Sequence, residues 1–483
     1  MISIMSSAAS FRTENDLLGA LEVPAQAYYG IQTLRAVNNF RLSGVPISHY
    51  PKLVVGLAMV KQAAADANRE LGHLSEAKHA AISEACARLI RGDFHEEFVV
   101  DMIQGGAGTS TNMNANEVIA NIALEAMGHQ KGEYQYLHPN NDVNMAQSTN
   151  DVIPTAIRLG AVTELPKLES AFANLIAAFE QKGREFDDVM KSGRTHLQDA
   201  MPIRLGQEFT AYAGSLRRSL QRVVEAADYL RDLGIGGSAV GTGVNVEPEY
   251  PAIMVRELAK SAGVEVREGK DRIQLMQSMG DAAAFSAQLR VLALDLSKIA
   301  SDLRLLASGP RTGLDEVILP AVQPGSSIMP GKINPSIPEM VNQVCFQVVG
   351  NDTCVSVSAE HGQLELNVMM PVIAHNIFLS MLILTNTATT LADRCVKGIE
   401  ANAAQCAFWV ERSAALATAL APQIGYARAA ELSKQSVKEN VLIRDLVKRE
   451  HVIPDDEIDD VLDLRKMTEI GVPGGKHGGV SAG

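Results

Sequence analysis

The stretch IQLMQSMGDAAAFSAQLRVLALDLSKIASDLRLLAS, Ile273 to Ser308, decides the fold class. Its apolar residues recur at alternating steps of four and three, which is the seam of a supercoiled helix. The seam consists of Phe285, Leu289, Leu292, Leu296, Ile299, Leu303 and Leu306. Further apolar residues lie off this seam, at Val291, Leu294 and Leu305. A helix that is apolar on more than one stripe needs neighbours on several sides, so we predict a bundle interior or a subunit interface.

Two other segments repeat this rhythm, and they lie earlier in the chain. They contain Leu168, Phe172, Leu175, Phe179, Phe186 and Val189, and then Leu205, Phe209, Tyr212, Leu216 and Val223. Shorter helical pieces, punctuated by Pro and Gly, precede and follow these long helices. We therefore predict an all-α protein with an N-terminal helical domain (1–148), a central long-helix domain (149–402) and a small C-terminal helical domain (403–483). The final GVPGGKHGGVSAG is expected to be a loose tail.

Composition excludes several classes of function. The chain has 483 residues, 46% of them hydrophobic, so it can bury more than one core. A formal charge of −13 and a single Trp argue against a nucleic-acid surface, which requires a basic face. No run of eighteen apolar residues exists, and Met1 to Ser10 lacks the features of a secretion signal. We expect no membrane partner and a cytoplasmic location.

Cysteine and histidine usage indicates neither disulfides nor zinc. The five cysteines form no C-x-x-C pair, and the eleven histidines form no H-E-x-x-H motif. We predict that the cysteines are small buried hydrophobic residues and that the protein has no metal site. Any anionic ligand must then be held by local polar groups, because the chain as a whole is acidic.

Four polar segments differ from the apolar helices around them. They are GGAGTSTNMNANE (Gly105 to Glu117), HPNNDVNMAQSTND (His138 to Asp151), SGRTHLQDAMP (Ser192 to Pro202) and GSSIMPGKINPSIPE (Gly325 to Glu339). Each is rich in hydroxyl and amide donors and leads into a helical pattern. A helix N-terminus with free backbone N–H groups is a ready anion site. Four such segments predict a ligand with more than one anionic group.

Purely structural interpretations exist for parts of these segments. Ser148, Thr149 and Asn150 could cap the helix that begins near Asp151, and Ser336 with Glu339 fits a capping box. Thr109 in a Gly-flanked turn and His196 in a loop are, seen alone, more often structural than catalytic. Capping does not explain why Lys332 and Asn334 stand in a loop rich in Gly and Pro. We therefore predict that this loop is built to move.

Taken together, these segments resemble the fumarase/aspartase superfamily. GSSIMPGKINPSIPEMVNQV is similar to its signature loop, and the similarity extends to GTSTNMNANEVIAN, QSTNDVIPT, GRTHLQDAMP, GSAVGTGVN and DLRLLASGPRTGLDE. It spans about Phe11 to Asp463. MGHQKGEYQYLHPN, EPEY and the Thr of QSTND resemble the aspartase branch. The resemblance implies an all-α, three-domain fold in which the long central helices of four identical subunits form one bundle.

The resemblance also implies an activity, the reversible deamination of L-aspartate to fumarate and ammonia without a cofactor. The reaction passes through a doubly charged aci-carboxylate, which hydroxyl and amide donors would stabilise. By resemblance, Ser326 is the catalytic base and Lys332, Asn334 and Thr195 bind the α-carboxylate. The groups implied for the β-carboxylate are Thr109, Ser148, Thr149 and Ser327. Asn150 and the second catalytic residue, His196, would face the amino group together with Thr109, and Glu339 would have a supporting role.

Some features depart from the family pattern, and alternatives remain. Met370 stands where many aspartases have an acidic residue, and Asn141 where fumarases often have Asp. Ala307-Ser308-Gly309 is the tripeptide that forms the electrophilic cofactor of aromatic ammonia-lyases, but the SGPR turn around it resembles the aspartase family's own. Fumarase or another fumarate-producing lyase is the alternative activity. A catalytically silent structural homologue is the alternative of another class. The resemblance further implies a homotetramer in which each active site takes residues from three chains.

Overall fold

A computed structural model describes residues 10–474 of the chain. The opening residues considered above as a possible signal, 1–9, lie outside this range. So do residues 475–483, which make up most of the predicted loose tail.

The described residues are mostly helical, as predicted. Their α-helices are α1 (Ile31–Asn39), α2 (Pro51–Glu70), α3 (Glu76–Arg91), α4 (Thr109–Ala126), α5 (Thr149–Glu185), α6 (Leu205–Asp228), α7 (Tyr250–Ala262), α8 (Arg272–Gln277), α9 (Gly280–Leu306), α10 (Ser336–Glu360), α11 (Met370–Arg394), α12 (Ala403–Arg412), α13 (Ala421–Ile424), α14 (Tyr426–Glu439), α15 (Ile443–Arg449) and α16 (Ile458–Val461).

Short strands form four two-stranded sheets in the same range. Three are antiparallel and one, β5 with β6, is parallel. The strands are β1 (Phe11–Asp16), β2 (Gly19–Pro24), β3 (Met190–Thr195), β4 (Gln198–Arg204), β5 (Asp232–Leu233), β6 (Arg267–Glu268), β7 (Val317–Ile318) and β8 (Glu400–Ala401).

The apolar seam predicted for the central helix is buried. Every seam residue from Phe285 to Leu306 is at most 6% exposed. The helix does not run unbroken from Ile273, however. It is interrupted between α8 and α9 at Ser278, where the backbone is extended and the hydroxyl accepts a hydrogen bond from the Gly280 amide. Off the seam, Leu294 and Leu305 are 47% and 43% exposed, which leaves a second apolar stripe uncovered in the single chain.

Two buried carboxylates hold the start of α1, where Gly30 has no side chain with which to cap the helix. Glu117 on α4 accepts hydrogen bonds from the amides of Gly30, Gln32 and Thr33, at 2.9, 2.9 and 3.1 Å. Glu14 on β1 accepts from the Ile31 amide at 2.8 Å. These bonds satisfy the first amides of the helix, which have no partner within the helix itself. They also fasten β1, α1 and α4 to one another.

The chain divides into two compact units. The first takes in the chain up to Glu169, Leu220–Ala293 and Phe346–Thr385. The second takes in Ser170–Ser219, Leu294–Cys345 and the chain from Asn386 onward. The divisions fall inside the five long helices α5, α6, α9, α10 and α11, and the three-domain division proposed from the sequence stays a prediction.

One helical stretch, Met370–Gly398, is long and apolar enough to cross a membrane by length and composition. The most apolar 18 residues of this stretch are 61% buried inside the protein. Such burial is typical of a core helix in a soluble protein. This stretch therefore gives little support to a membrane span.

The two stripes of α9 predict different effects of the same substitution. Leu292 is fully buried, so Leu292→Ala should lower the free energy of unfolding by about 2–5 kcal/mol. Leu294 is 47% exposed, so Leu294→Ala should leave the fold intact and weaken association between subunits. Denaturant unfolding and light scattering over a range of protein concentrations measure the two effects. Equal destabilisation by both variants, with association unchanged, would contradict the interface prediction.

Candidate active site

In the first unit, the polar segment Gly105 to Glu117 enters α4 at Thr109, and its remaining residues form the first half of that helix. Gly108 precedes the helix with φ +89°, and a Cβ on it would lie 2.9 Å from the Ile153 side chain of α5. Glycine is therefore required here both for its backbone angle and for the close approach of the two helices. Thr109 is exposed, and its hydroxyl donates to the Gly106 carbonyl at 2.8 Å. The start of α4 thus holds this hydroxyl at the surface, beside the first turn of α5.

Ser148 is the cap of α5. Its hydroxyl accepts from the Asn150 amide at 3.2 Å, and its own amide donates to the Asp151 carboxylate at 3.0 Å. The structural interpretation of Ser148 is thus confirmed, and it leaves the hydroxyl hydrogen available for a ligand. The Asn150 side chain donates to the Ala239 carbonyl at 2.7 Å, which fixes the orientation of its amide.

Asp151 anchors two loops at once. Besides the Ser148 amide, its buried carboxylate accepts from the amides of Ser238 (2.9 Å) in the GSAVGTGVN segment and of Gly236 (3.1 Å) just before it. Burial raises the pKa of Asp151 to about 6, while the three amide bonds act in the opposite direction. The carboxylate therefore fixes the backbone that presents Ser148, Thr149 and Asn150.

Lys61 on α2 is a buried cation behind the same residues, and the sequence analysis missed it. Its ammonium donates to the side-chain oxygens of Asn112, Asn144 and Gln147 at 2.7, 2.8 and 2.9 Å. Asn112 in turn donates to the Thr149 hydroxyl at 3.2 Å, so the starts of α4 and α5 share one network. Burial lowers the pKa of Lys61 to about 7. The available signal was a lone lysine inside the apolar run VGLAMVKQAAADA.

In the second unit, Thr195 and His196 lie at the exposed tip of the hairpin β3–β4. Thr195 pairs with Gln198, so His196 and Leu197 form a two-residue turn, and both have positive φ, 55° and 60°. Positive φ at both central residues is the requirement of a type I′ turn. We expected a loop that leads into a helix. The hairpin corrects that expectation, because α6 begins only at Leu205, after β4.

The loop predicted to move is closed at its base by close backbone contact. A Cβ on Gly325 would lie 2.2 Å from the Lys332 carbonyl oxygen, and the Asn334 side chain donates to the Gly325 carbonyl. The Ser326 hydroxyl oxygen accepts from the amides of Ile328 and Met329, at 3.2 and 2.9 Å. The loop therefore forms a compact turn between Gly325 and Asn334.

Lys332 and Asn334 line an open pocket of about 1050 Å³. Lys332 and Ser327 are exposed, whereas Ser326 and Asn334 are half-buried. The ammonium of Lys332 is thus accessible to an anionic ligand, and Asn334 both lines the pocket and closes the loop.

The capping box predicted at Ser336 and Glu339 is wrong. Ser336 is the first residue of α10, and its buried hydroxyl oxygen has no hydrogen-bond partner. Its amide donates instead to the Asn334 carbonyl at 2.8 Å, so the backbone of the preceding loop turns directly into the helix. Glu339 is exposed, one turn into α10.

The other residues that the sequence analysis considered are Met370, Asn141 and the cysteines. Met370 is fully buried at the start of α11, an environment that disfavours the acidic residue expected there. Asn141 is exposed beside His138. Four of the five cysteines are buried, and Cys354 is partly so. Among residues 10–474, no group of three or more His, Cys, Asp or Glu side chains is arranged to hold a metal ion.

The polar residues of the site therefore fall into two groups. The first unit contains Thr109, Ser148, Thr149 and Asn150, and the second contains Thr195, His196, Ser326, Ser327, Lys332, Asn334 and Glu339. Hydroxyl and amide donors dominate the first group. The second group adds a lysine and an imidazole. Both compact units therefore carry hydrogen-bond donors that could bind an anion.

The family described as "Lyase" matches residues 19–350, and "Fumarase C C-terminus" matches residues 416–469. The chain belongs to this lyase family. It is 63% identical to an aspartate ammonia-lyase of Pseudomonas fluorescens. The alignment covers 97% of this chain and 98% of that enzyme.

Two solved structures of the family confirm the fold of the fumarase/aspartase superfamily. One is described as fumarate lyase:delta crystallin from Brucella melitensis bound to cobalt. It is 52% identical, with a TM-score of 0.93, over 95% of this chain and 100% of that one. The other is a class II fumarase from Schistosoma mansoni, which is 33% identical with a TM-score of 0.90. The alignment covers 95% of this chain and 99% of that one. Identity is thus higher to the aspartate ammonia-lyase than to this fumarase.

The buried Asp151 predicts a specific dependence of stability on pH. The folded chain keeps the proton up to about pH 6, whereas the unfolded chain releases it near the ordinary pKa of 3.8. The contribution of this group to stability is therefore full below about pH 4 and is lost as pH rises to about 6. Asp151→Asn cannot ionise. The unfolding free energy of the wild type minus that of the variant should fall by about 3 kcal/mol over this interval.

Denaturant unfolding at closely spaced pH values measures this difference. Asp188→Asn, the same substitution at a side chain that is 94% exposed, is the control for the effect of replacing a carboxylate by an amide. A flat difference for Asp151→Asn would mean that its three amide bonds keep the carboxylate ionised throughout.

Proposed function

We propose that the protein catalyses the reversible deamination of L-aspartate to fumarate and ammonia, without a cofactor. The observation that supports this most strongly is the 63% identity to an aspartate ammonia-lyase over nearly the full length of both chains. The polar segments supply donors for both carboxylates of aspartate. In this reaction a proton leaves Cβ, the electron pair moves into the β-carboxylate, and ammonia then departs from Cα.

The α-carboxylate is bound by Lys332, Asn334 and Thr195. An exposed ammonium at the edge of a 1050 Å³ pocket gives a fixed positive partner without a buried ion pair. Asn334 lines the same pocket, and its side chain is tied to Gly325 at the base of the loop. Binding the carboxylate at Asn334 therefore acts directly on the loop, which we propose closes over the substrate.

The β-carboxylate is held by Thr109, Ser148, Thr149 and Ser327. Its negative charge doubles when the proton leaves, so donors aimed at it stabilise the aci-carboxylate more than the substrate. Thr109 and Thr149 are the first residues of α4 and α5, and Ser148 directly precedes α5. Free backbone amides and the helix dipole at these positions also favour an anion. Asp151 and Lys61 keep these donors in place.

Ser326 is the proposed base, acting as an alkoxide. Its oxygen already accepts two backbone amides, those of Ile328 and Met329. Hydrogen bonds to an oxygen favour its charged form, so the folded loop itself promotes ionisation of this hydroxyl. The cation of Lys332, six residues further along the same loop, acts in the same direction.

Asn150 and His196 face the amino group. Because the Asn150 nitrogen donates to Ala239, its side-chain oxygen is the atom left to accept a hydrogen bond from the substrate ammonium. The amino nitrogen of the substrate is already protonated, so ammonia leaves as a neutral molecule. The imidazole of His196 then has a positioning or proton-accepting task rather than that of a strong acid.

The active form is proposed to be a cytoplasmic homotetramer with each site shared between three chains. The support is the resemblance to the superfamily together with the exposed apolar residues of the long helices, Leu294, Leu305, Phe346 and Val357. Such residues lose contact with water when a second helix covers them. In this proposal each site takes Thr109 and Ser148 to Asn150 from one chain, Thr195 and His196 from a second, and Ser326 to Asn334 from a third.

A direct assay distinguishes this activity from the alternatives. Fumarate is conjugated and absorbs ultraviolet light that aspartate and malate do not. Adding L-aspartate should produce this absorbance together with one equivalent of ammonia, whereas L-malate should not. Fumarate from malate alone would indicate a fumarase, and no product from either substrate would indicate a structural homologue.

Ser326 and Ser327 are a matched pair that separates the base from a binding group. Ser326→Ala should lower kcat for aspartate by several orders of magnitude, more than the roughly 10²–10³ expected from loss of one oxyanion donor. Ser327→Ala should lower kcat and raise KM together, to a smaller extent. Steady-state kinetics measures both, and binding of an unreactive dicarboxylate checks that Ser326→Ala remains folded. If Ser326→Ala kept more than about a tenth of the rate and Ser327→Ala were inactive, the roles would be reversed.

A further inference from the structure

Glu316 is a fully buried carboxylate of the second unit that the proposed mechanism does not use. It precedes β7 and stands nine residues before Gly325, where the loop predicted to move begins. Its Oε1 accepts from the Arg194 guanidinium at 2.9 Å, and its Oε2 lies 3.2 Å from the Lys191 ammonium. Both cations belong to β3, the strand that ends at Thr195.

The two cations reach one carboxylate because β3 contains a bulge. Residues three apart on a regular strand point to opposite faces. The pairing of β3 with β4 shifts between Ser192 and Arg194, and this shift brings Lys191 and Arg194 to the same side. Both side chains are largely out of water, 2% and 14% exposed. The bulge therefore places two cations, Lys191 and Arg194, on one buried carboxylate next to the hairpin tip.

The backbone of Glu316 is itself fixed. Its amide donates to the Leu306 carbonyl at 2.9 Å, and its carbonyl accepts from the Asn402 amide at 3.0 Å. Two residues earlier, the Leu314 carbonyl accepts from the indole of Trp409 at 2.9 Å. The carboxylate thus projects from a rigid base and can hold β3 in one place.

We infer that Glu316 is a positioning residue, which through Arg194 fixes the hairpin tip that presents Thr195 and His196 to the substrate. This role rests on the proposed function of those two residues. Arg194 immediately precedes Thr195, and its hydrogen bond to Glu316 restrains the last residue of β3 before the turn. Without that bond the last residues of β3 lose their side-chain anchor to Glu316. A displacement of about 1 Å in a positioning group can cost about 10²-fold in rate.

The test compares Arg194→Gln with Arg204→Gln. Arg204 is a matched control at the other end of the same hairpin. It is 16% exposed and paired with Asp187 (3.4 Å) and Glu469 (3.3 Å), but it is remote in sequence from the tip. Arg194→Gln should lower kcat/KM for aspartate about 100-fold, and Arg194→Lys should recover part of that loss. Arg204→Gln should stay within about twofold of the wild type.

Glu316→Gln tests the acid itself. It removes the bond to Arg194 and the ion pair with Lys191, so it should lower kcat/KM at least as much as Arg194→Gln. The double variant should be no worse than Glu316→Gln alone, because Glu316→Gln already removes the interaction with Arg194. Trp409 is the only tryptophan of the chain, and its emission reports whether the surroundings of Glu316 are folded. Should Glu316→Gln fail to fold, Arg194→Gln still decides the question, because it leaves Glu316 paired with Lys191.

Hydrogen–deuterium exchange of the peptide 194–199 is the readout that does not depend on turnover. Exchange should be faster in Arg194→Gln than in the wild type or Arg204→Gln. Unchanged exchange in Arg194→Gln would overturn the inference, and so would additive losses in the double variant. A wild-type protein that left aspartate unreacted would refute the proposed function alone, since the exchange comparison would still decide how the tip is held.

Discussion

A carboxylate taken out of water must find enough donors to replace its hydration, and this constraint organises the polar part of the protein. Glu117, Asp151 and Glu316 are all buried. Glu117 and Asp151 are the last residues of two of the polar segments, and Glu316 contacts Arg194 in a third. Glu117 accepts the amides that open α1, Asp151 accepts amides from two loops, and Glu316 accepts Arg194. Each acid therefore converts a segment that would otherwise be flexible into one with a fixed backbone. The exposed donors proposed to bind substrate depend on these interior bonds.

The two units differ in how far buried charged groups fix their polar segments. In the first, hydroxyls stand on the starts of long helices and are backed by both Asp151 and Lys61. In the second, the loop from Gly325 to Asn334 is held mainly by contacts within itself. A stabilising surface for the developing charge needs to be rigid before the reaction begins. A segment that brings the base needs to admit substrate and release product, so looser attachment suits its task.

Sequence reasoning succeeded where the pattern is local. The four-three spacing from Phe285 to Leu306 predicted a buried helical stripe, because helical periodicity depends only on neighbouring residues. It failed at the hairpin tip, since His196 and Leu197 carry none of the Asn or Gly that usually signals a two-residue turn. It also failed at Ser336, whose capping pattern is present while its hydroxyl faces a buried space without a partner.

The anchoring residues were missed for a different reason. Lys61 contacts Asn112 and Asn144 across 51 and 83 residues of chain, and Glu316 contacts Arg194 across 122 residues. No local pattern records such pairs, because the partners become neighbours only after folding. A lone charge in an apolar run, as at Lys61, indicates that a partner must exist but not which one. The residues proposed to contact the substrate came from resemblance to a family, and the structure adds the buried groups that hold them in place.

The turn at His196 and Leu197 has a consequence for engineering this protein. Both residues adopt a left-handed backbone that glycine or asparagine adopts with less strain, at a cost of order 1 kcal/mol for each residue. A library selected for heat resistance alone would therefore favour Asn-Gly at these two positions. Such variants would survive longer at high temperature and would lack the imidazole at the tip. Selection for thermal stability and selection for catalytic rate thus favour different residues at this turn. A useful screen must measure both properties.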